Sequence, residues 1–135
     1  MKEKKLKIID GKGTILGRLA SYAAKEALKG EEIVILNCNE VIISGNKKAT
    51  EDNFLKKRKR VGSSQKGPKH SRLAYRIVKR AIRGMLPEHR FGRGREAFKR
   101  IKCYNEAPKE FEEKEKIKIE RKKPIKYSRV KEFSK

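Results

Sequence analysis

Residues 6–36, LKIIDGKGTILGRLASYAAKEALKGEEIVIL, contain the pattern that decides the fold. Residues 6–10 alternate weakly between polar and apolar side chains and end at a glycine, which is typical of a strand. Thr14 is predicted to cap a helix over residues 15–29, which ends at another glycine. The unbroken apolar run of residues 33–36 then predicts a strand buried on both faces. This order of strand, helix and strand favours a parallel pair joined by a helical crossover.

The chain beyond this unit continues the alternation. The most regular helix begins at Ser71, its predicted cap, carries apolar side chains at helical spacing along one face, and stops at Pro87. The other predicted elements are a strand at 41–43 that either extends the sheet or stands alone, a helix from 45 to about 58, a loop over 61–69, a helix over 93–100 and a strand over 101–104. The whole pattern predicts an α/β fold with a mainly parallel sheet.

The chain divides at Pro108 in composition. Residues 1–108 contain the predicted elements and form the predicted α/β domain. Residues 109–135 form a charged C-terminal extension in which lysine and glutamate are mixed. We expect this extension to be too polar to build a core and to form an exposed helix or an extended arm.

Positive charge dominates the sequence and is concentrated in one part of it. The 135 residues include 39 Lys and Arg against 17 Asp and Glu, a net charge of +22. Residues 56–102 alone hold eighteen basic and two acidic residues, a net charge of +16. Such a charge repels itself unless a polyanion neutralises it, and nucleic acid is the commonest candidate.

The sequence gives little support for binding to a membrane or for secretion. An anionic membrane would require a suitable amphipathic helix or a lipidation signal, and the sequence has no apolar run of membrane-spanning length. The Met1–Asp10 stretch lacks the apolar segment of a secretory signal. We therefore expect a cytoplasmic protein that neither binds a membrane nor takes a small-molecule substrate.

Glycines at positions 11, 13 and 17 follow the first strand, where dinucleotide-binding proteins have their fingerprint. The spacing is GxGxxxG, one residue longer than that fingerprint, so we expect no cofactor. We expect a conformational role instead: Gly11 and Gly13 permit a tight turn, and Gly17 lets the helix approach the sheet. A nucleotide-binding enzyme built on this turn is the alternative function, and a DNA-compacting protein is a third.

Catalytic and metal sites are not indicated. Two cysteines cannot supply the four ligands of a structural zinc site, and the two histidines stand alone in basic surroundings. The acidic residues cluster in a charge run at 110–115 instead of converging with a nucleophile or a second carboxylate. We therefore predict no enzymatic activity and no metal ion.

Three groups of basic residues are predicted to bind phosphate. The first is the run of five cations at 56–60, continued by a basic loop; the second is the basic face of the 71–86 helix, which has no acidic residue; the third is an Arg/Gly loop. The residues are Lys56, Lys57, Arg58, Lys59, Arg60, Lys66, Lys69 and His70, then Arg72, Arg76, Lys79, Arg80 and Arg83, then His89, Arg90, Arg93 and Arg95.

Phe91, within the Arg/Gly loop, has two alternative roles. It could stack on an unpaired base of an RNA. General burial preference favours the other role, a core residue that covers the end of the preceding helix.

Three segments resemble one known family. They are IIDGKGTILGRLASYAAKEALKG at 8–30, VILNCNEVIISGN at 34–46 and RAIRGMLPEHRFGRGREAFKRIKCYNEAP at 80–108. Together they look like the universal large-subunit ribosomal protein family thirteen, with similarity over about residues 6–108. The SGN at 44–46, and the lack of a His-Pro-His segment after Tyr104, resemble its archaeal and eukaryotic branch.

The resemblance implies a three-layer α/β/α fold with a four-stranded parallel sheet. It also implies binding to large-subunit rRNA, neighbouring large-subunit ribosomal proteins as partners, and a role in early subunit assembly and translation. The RNA contacts that it implies are Arg18, Asn46, the 56–60 run, Arg83, Arg90, Arg93 and Arg95.

Overall fold

The computed structural model describes residues 3, 5–60, 69–119 and 122–133. Within these residues, strands and helices alternate through the first part of the chain, and short elements follow. The elements are β1 (Leu6–Asp10), α1 (Leu16–Leu28), β2 (Glu32–Leu36), β3 (Ile42–Ser44), α2 (Lys47–Lys59), α3 (Ala74–Met85), α4 (Gly92–Lys99), β4 (Ile101–Cys103), α5 (Lys109–Glu112), β5 (Ile117–Lys118) and β6 (Tyr127–Arg129), with 3-10 helices at Cys38–Glu40 and Val130–Phe133.

The main sheet has four strands in the order β4-β2-β1-β5, and every neighbouring pair is parallel. In the central pair, Ile8 stands opposite Val34 and Ile9 opposite Ile35. The predicted α/β class with a four-stranded parallel sheet is therefore confirmed. Strand β3 does not extend this sheet, because it pairs antiparallel with β6 in a separate two-stranded sheet.

Successive residues of the central strands point to opposite faces of the sheet. Ile9, Ile33 and Ile35 face the large core, where they pack with the buried sides of α1 and α3 and with Ala97 of α4. Ile8, Val34 and Leu36 face a smaller core that is covered by Phe111 of α5. Helices on both faces give the three layers, and burial on both sides explains the unbroken apolar run of β2.

The turn after β1 is closed by packing against the chain that follows β2. Gly11 donates its N–H to the carbonyl of Leu36 at 2.9 Å, and a Cβ at this position would lie 2.9 Å from that same oxygen. Gly13 adopts a left-handed φ of 72°. The conformational role of these two glycines is confirmed. For Gly17 the prediction is wrong, because this residue is exposed and a Cβ there would meet nothing within 4 Å.

Two predicted helix caps are also wrong. Thr14 is buried, and its hydroxyl donates to the carbonyl of Asp10 instead of capping α1. Ser71 accepts from the N–H of Leu73 at 3.1 Å, so it closes a turn before α3, which begins three residues later at Ala74. Helix α2 does have a side-chain cap, although none was predicted, since Asn46 accepts from the N–H of Lys48 at 3.0 Å.

Residues beyond Pro108 contribute to both sheets and to both cores, so the expectation that this segment builds no core is wrong. Strand β5 supplies the fourth strand of the main sheet, and β6 completes the second sheet. Phe111 closes the smaller core, Val130 is fully buried in the large one, and Phe133 is 3% exposed. The apolar residues of the extension are few, but Phe111 and Val130 are spaced so that they reach different cores of the scaffold. The division of the chain at Pro108 into a domain and an extension stays a prediction.

Candidate nucleic-acid interface

Helix α3 separates apolar and basic side chains. Ile77, Val78 and Ile82 are buried against α1 and the sheet, whereas Arg76 is exposed on the other side. The helix contains no acidic residue. Like charges at neighbouring helical positions repel one another, so this face is suited to an anionic partner.

The basic face of α3 forms one wall of a cleft of about 430 Å³. The end of α2 and the segment before α3 form the other walls. The described lining contains seven basic side chains and no acidic one. The basic side chains are Lys57, Lys69, His70, Arg76, Lys79, Arg80 and Arg83. We call these seven residues the cationic cleft; all of them were predicted from the sequence as phosphate-binding residues.

Apolar side chains form the floor of the cationic cleft. They include Leu16 of α1, Phe54 of α2 and Phe98 of α4, so three helices meet beneath the charges. The ammonium of Lys79 lies 4.9 Å from the centre of the Phe98 ring, a cation–π distance that holds the lysine over the floor. Sequence reasoning did not single out Phe54 or Phe98, because only the folded chain brings them next to the basic residues.

Burial and crowded positive charge lower the pKa of two cleft residues. Burial first, and then the charges of Arg80, Lys57, Arg60 and Arg58, lower the pKa of His70 below its usual 6.5. Burial and the neighbouring Arg83 lower the pKa of Arg80 in the same direction. A phosphate bound here would reverse the charge contribution, because a nearby anion favours the protonated form.

Arg58 differs from the other members of the 56–60 run because it has partners within the chain. Its guanidinium lies 5.5 Å from the centre of the Phe54 ring and donates to the backbone carbonyl of Phe133. Burial, followed by the charge of Arg72, lowers the pKa of Arg58. Lys56, Lys59 and Arg60 are exposed on the same turn. Arg58 therefore holds α2 to the C-terminal segment, and the exposed cations beside it face solvent.

The remaining predicted residues lie outside the lining of the cleft. Arg18 is exposed on α1, and Arg72 is exposed just before α3. The third group lies at the corner that leads into α4, where His89 is half-buried and Arg90, Arg93 and Arg95 are exposed. Lys66 lies outside the described residues.

Phe91 also lies at this corner, and its side chain is 68% exposed. The preference for a core position is therefore wrong. Burial scales describe the average phenylalanine, and they give no weight to the charged side chains around this one.

Asn46 marks a second, smaller depression of about 320 Å³ at the other end of α2. Lys47 and Lys126 line it together with Ile125 and Tyr127, so it joins the start of α2 to the C-terminal segment. Sequence reasoning missed Lys47 and Lys126 because residues this far apart in the chain give no joint signal before folding.

Among the described residues, no three or more histidine, cysteine, aspartate or glutamate side chains come together as a metal site would require. No helix in the same part of the chain has the length and apolar character needed to cross a bilayer.

Comparison with known proteins identifies the family. Residues 4–110 match the family described as Ribosomal protein L13. The chain belongs to the ribosomal protein L13 family. The predicted resemblance is thus confirmed, and the L13 match covers every described residue of the cationic cleft.

Archaeal members of the L13 family are similar over most of their length. A protein named large ribosomal subunit protein uL13 from Methanocaldococcus jannaschii is 47% identical over 113 residues, covering 82% of each chain. The protein of the same name from Thermoplasma volcanium is 43% identical over 104 residues, which is 77% of this chain and 75% of that one. The protein of that name from Methanosarcina barkeri is 46% identical over 113 residues, with 83% and 79% covered.

Proposed function

We propose that the chain is a structural, non-enzymatic constituent of the large ribosomal subunit, which binds large-subunit rRNA and supports early subunit assembly and translation in the cytoplasm. The observation that carries this proposal is the cationic cleft, in which seven basic side chains from separate segments converge without an acidic residue in the described lining. Membership of the L13 family gives the polyanion its identity.

The cleft would act by positioning RNA through its phosphates. Contacts to phosphate fix the register of a protein on nucleic acid and need no base-specific hydrogen bond. Double-stranded RNA is recognised mostly through its shape and backbone, because its major groove is too deep and narrow for side chains. The buried side chains Ile77, Val78 and Ile82 anchor α3 in the large core, so its cations are held in place before RNA arrives. Many such contacts would bring together RNA segments that otherwise repel one another.

The predicted residues outside the cleft would extend the same interface. Lys56, Lys59 and Arg60 are exposed on the last turn of α2, beside the cleft residue Lys57. Arg18, Asn46 and the α4 corner would contact further RNA segments or neighbouring ribosomal proteins. Lys66 belongs to this proposal by its place in the sequence.

Association with the ribosome is the first test. We expect the epitope-tagged full chain, expressed in an archaeal host, to co-sediment with large subunits and to remain with them in high-salt sucrose gradients. A chain found only at the top of the gradient at moderate salt would contradict the proposal.

A competition experiment between RNA and DNA distinguishes specific binding of rRNA from non-specific binding of any polyanion by a basic protein. We expect folded large-subunit rRNA to compete for the chain much better than duplex DNA of equal length. Equal competition would favour the DNA-compacting alternative. Saturable binding of NAD or ATP in equilibrium dialysis would instead favour the nucleotide-binding alternative. The structure does not favour that outcome, because the backbone oxygen of Leu36 and the side chain of Val41 already occupy the space beside Gly11.

A further inference from the structure

Phe91 differs from the other four phenylalanines of the chain, because its ring has no aromatic or cationic partner in the part of the chain that the structure describes. Phe54 and Phe133 stack on each other, Phe111 packs with Tyr104 and carries Lys114 over its ring, and Phe98 carries Lys79. Among the described residues, Phe91 has neither an aromatic nor a cationic neighbour of this kind, and its side chain is 68% exposed.

The backbone that carries Phe91 is tightly packed. Gly92 adopts a left-handed φ of 68° directly after it. Gly94 is buried so closely that a Cβ there would lie 2.3 Å from the carbonyl oxygen of Pro87 and 2.5 Å from that of Glu88. The N–H of Arg90 donates to the carboxylate of Glu88 at 3.2 Å. The exposed ring therefore projects from a fixed corner.

Charge around the ring indicates the kind of partner. Arg90, Arg93 and Arg95 are exposed, and none of them forms an ion pair with a described residue. The two acidic residues of the corner have neighbours other than these guanidinium groups: the Glu88 carboxylate accepts from the backbone N–H of Arg90 and lies 3.9 Å from His89, and Glu96 lies 3.8 Å from Arg100. A corner that carries an exposed aromatic ring and three exposed arginines suits a partner that has both a flat aromatic surface and anionic groups.

We propose that Phe91 is a stacking platform for an unpaired nucleobase of the bound rRNA, with the flanking phosphates on Arg90, Arg93 and Arg95. This site deepens the proposed function and rests on it. Single-stranded nucleic acid binds proteins by this combination of base stacking and a basic groove, and stacking tolerates any base because each has a π face. An aliphatic surface of a neighbouring protein would match the ring, but it would leave the arginines without anions.

The absence of tryptophan from the chain provides a direct probe. Phe91→Trp keeps an aromatic ring at the corner and introduces a single tryptophan, whose fluorescence is quenched when a base stacks on it. We expect in vitro transcribed large-subunit rRNA to quench this fluorescence strongly at saturation. Inorganic polyphosphate, which has charge but no bases, should leave the fluorescence nearly unchanged. Leu6→Trp, at another exposed apolar position, is the matched control and should respond to neither polyanion.

Affinity gives a second readout. Phe91→Ala removes an exposed side chain, so the fold should persist, and we expect rRNA affinity to fall about 5- to 100-fold with an unchanged salt dependence. Phe91→Trp keeps a ring on which a base can stack, so it should bind rRNA more tightly than Phe91→Ala. If rRNA binds the Phe91→Trp chain without quenching, or if Phe91→Ala binds with full affinity, the stacking proposal is overturned while the proposed function stands. If the natural chain itself binds no rRNA, both fail.

Discussion

Phe133, the last described residue, stacks on Phe54 of α2 with the two ring centroids 5.2 Å apart. Helix α2 has no fully buried residue of its own. This stack, together with the bond from Arg58 to the Phe133 carbonyl, therefore fixes a helix whose last turn carries four cations. The C-terminal segment thus positions part of the basic surface.

Phe133→Ala should destabilise the chain, because it removes a buried ring and leaves the Phe54 ring without its partner. We expect the free energy of unfolding, measured by urea denaturation, to fall by about 2–4 kcal/mol. Ile125→Ala, at a fully exposed position in the same segment, is the control and should change it by less than about 0.5 kcal/mol. Equal effects of the two variants would show that the segment does not dock on α2.

Replacing Gly94 and Gly84 with alanine should have opposite effects on the stability of the chain. Gly94→Ala places a Cβ 2.3 Å from the Pro87 carbonyl oxygen, so the α4 corner must shift and stability should fall by about 1–3 kcal/mol. Gly84→Ala lies in α3, where a Cβ meets nothing within 4 Å, and should stabilise the chain by up to about 1 kcal/mol. Thermal unfolding of both variants is the measurement, and a stabilising Gly94→Ala would contradict the packing of the corner.

Glu26 should make the free energy of unfolding depend on pH in the acidic range. The ammonium groups of Lys7 and then Lys29 hold the pKa of this buried carboxyl at about 2, below its ordinary 4.5. Since the folded pKa is the lower one, the contribution is complete above pH 4.5 and is lost as the pH falls toward 2. Glu26→Gln should therefore lower the free energy of unfolding by about 1–3 kcal/mol at neutral pH, and this loss should become smaller as the pH falls from 4.5 toward 2.

The control for this prediction is Glu51→Gln, at an exposed position on α2. Its effect on the free energy of unfolding should be small at every pH. If the natural chain and Glu26→Gln differ by the same amount at pH 7 and at about pH 2, the carboxyl is not paired as described.

RNA binding should take up a proton at His70. The pKa of this imidazole is lowered in the free chain by burial and by neighbouring cations, and a bound phosphate would raise it. A higher pKa in the complex means that affinity increases as the pH falls from about 7.5 to about 5.5. NMR titration of the free and bound chain would measure both pKa values. His70→Gln should weaken the pH dependence of binding, and an unchanged dependence would contradict proton uptake at this residue.

Salt dependence tests the number of phosphate contacts. If about nine of the eighteen cations in residues 56–102 meet phosphate, the logarithm of affinity should fall with the logarithm of salt at a slope of roughly −6 to −8. Changing Lys56, Lys57, Lys59 and Arg60 together to Gln, with Arg58 kept because it packs on Phe54, should flatten the slope by roughly 3.

A charge-matched control accompanies this variant. Lys5, Lys12, Lys25 and Lys48 are exposed outside the cleft, and changing these four to Gln removes the same formal charge. We expect this control to leave the slope almost unchanged. Equal flattening by both sets would mean that net charge, and not the end of α2, determines binding.

The sequence predicts the parts of this fold whose side chains repeat regularly. The apolar period of α3 and the continuous run in β2 follow from burial, so Ile82 and Ile35 are both found fully buried. Strand β5 could not be predicted, because it consists of Ile117 and Lys118 alone and is stabilised by pairing with β1, more than a hundred positions earlier.

The positive charge of the site could be predicted from the sequence, but the arrangement of its side chains could be predicted only in part. An acid-free helix face, a run of five cations and the basic loop between them mark a polyanion-binding region, and seven of those residues line one cleft. Sequence could not separate Arg58, which binds within the chain, from exposed Lys57 beside it, because the distinction depends on Phe54 and on the arrival of Phe133. Nor could it show that Phe91 points outward.

Ultraviolet crosslinking in living cells, followed by mass spectrometry of the crosslinked peptides, tests the central claim most directly. The account predicts large-subunit rRNA attached to peptides from residues 69–83 and from the end of α2. Crosslinks confined to other surfaces, or the recovery of no ribosomal RNA on the cationic cleft, would contradict it.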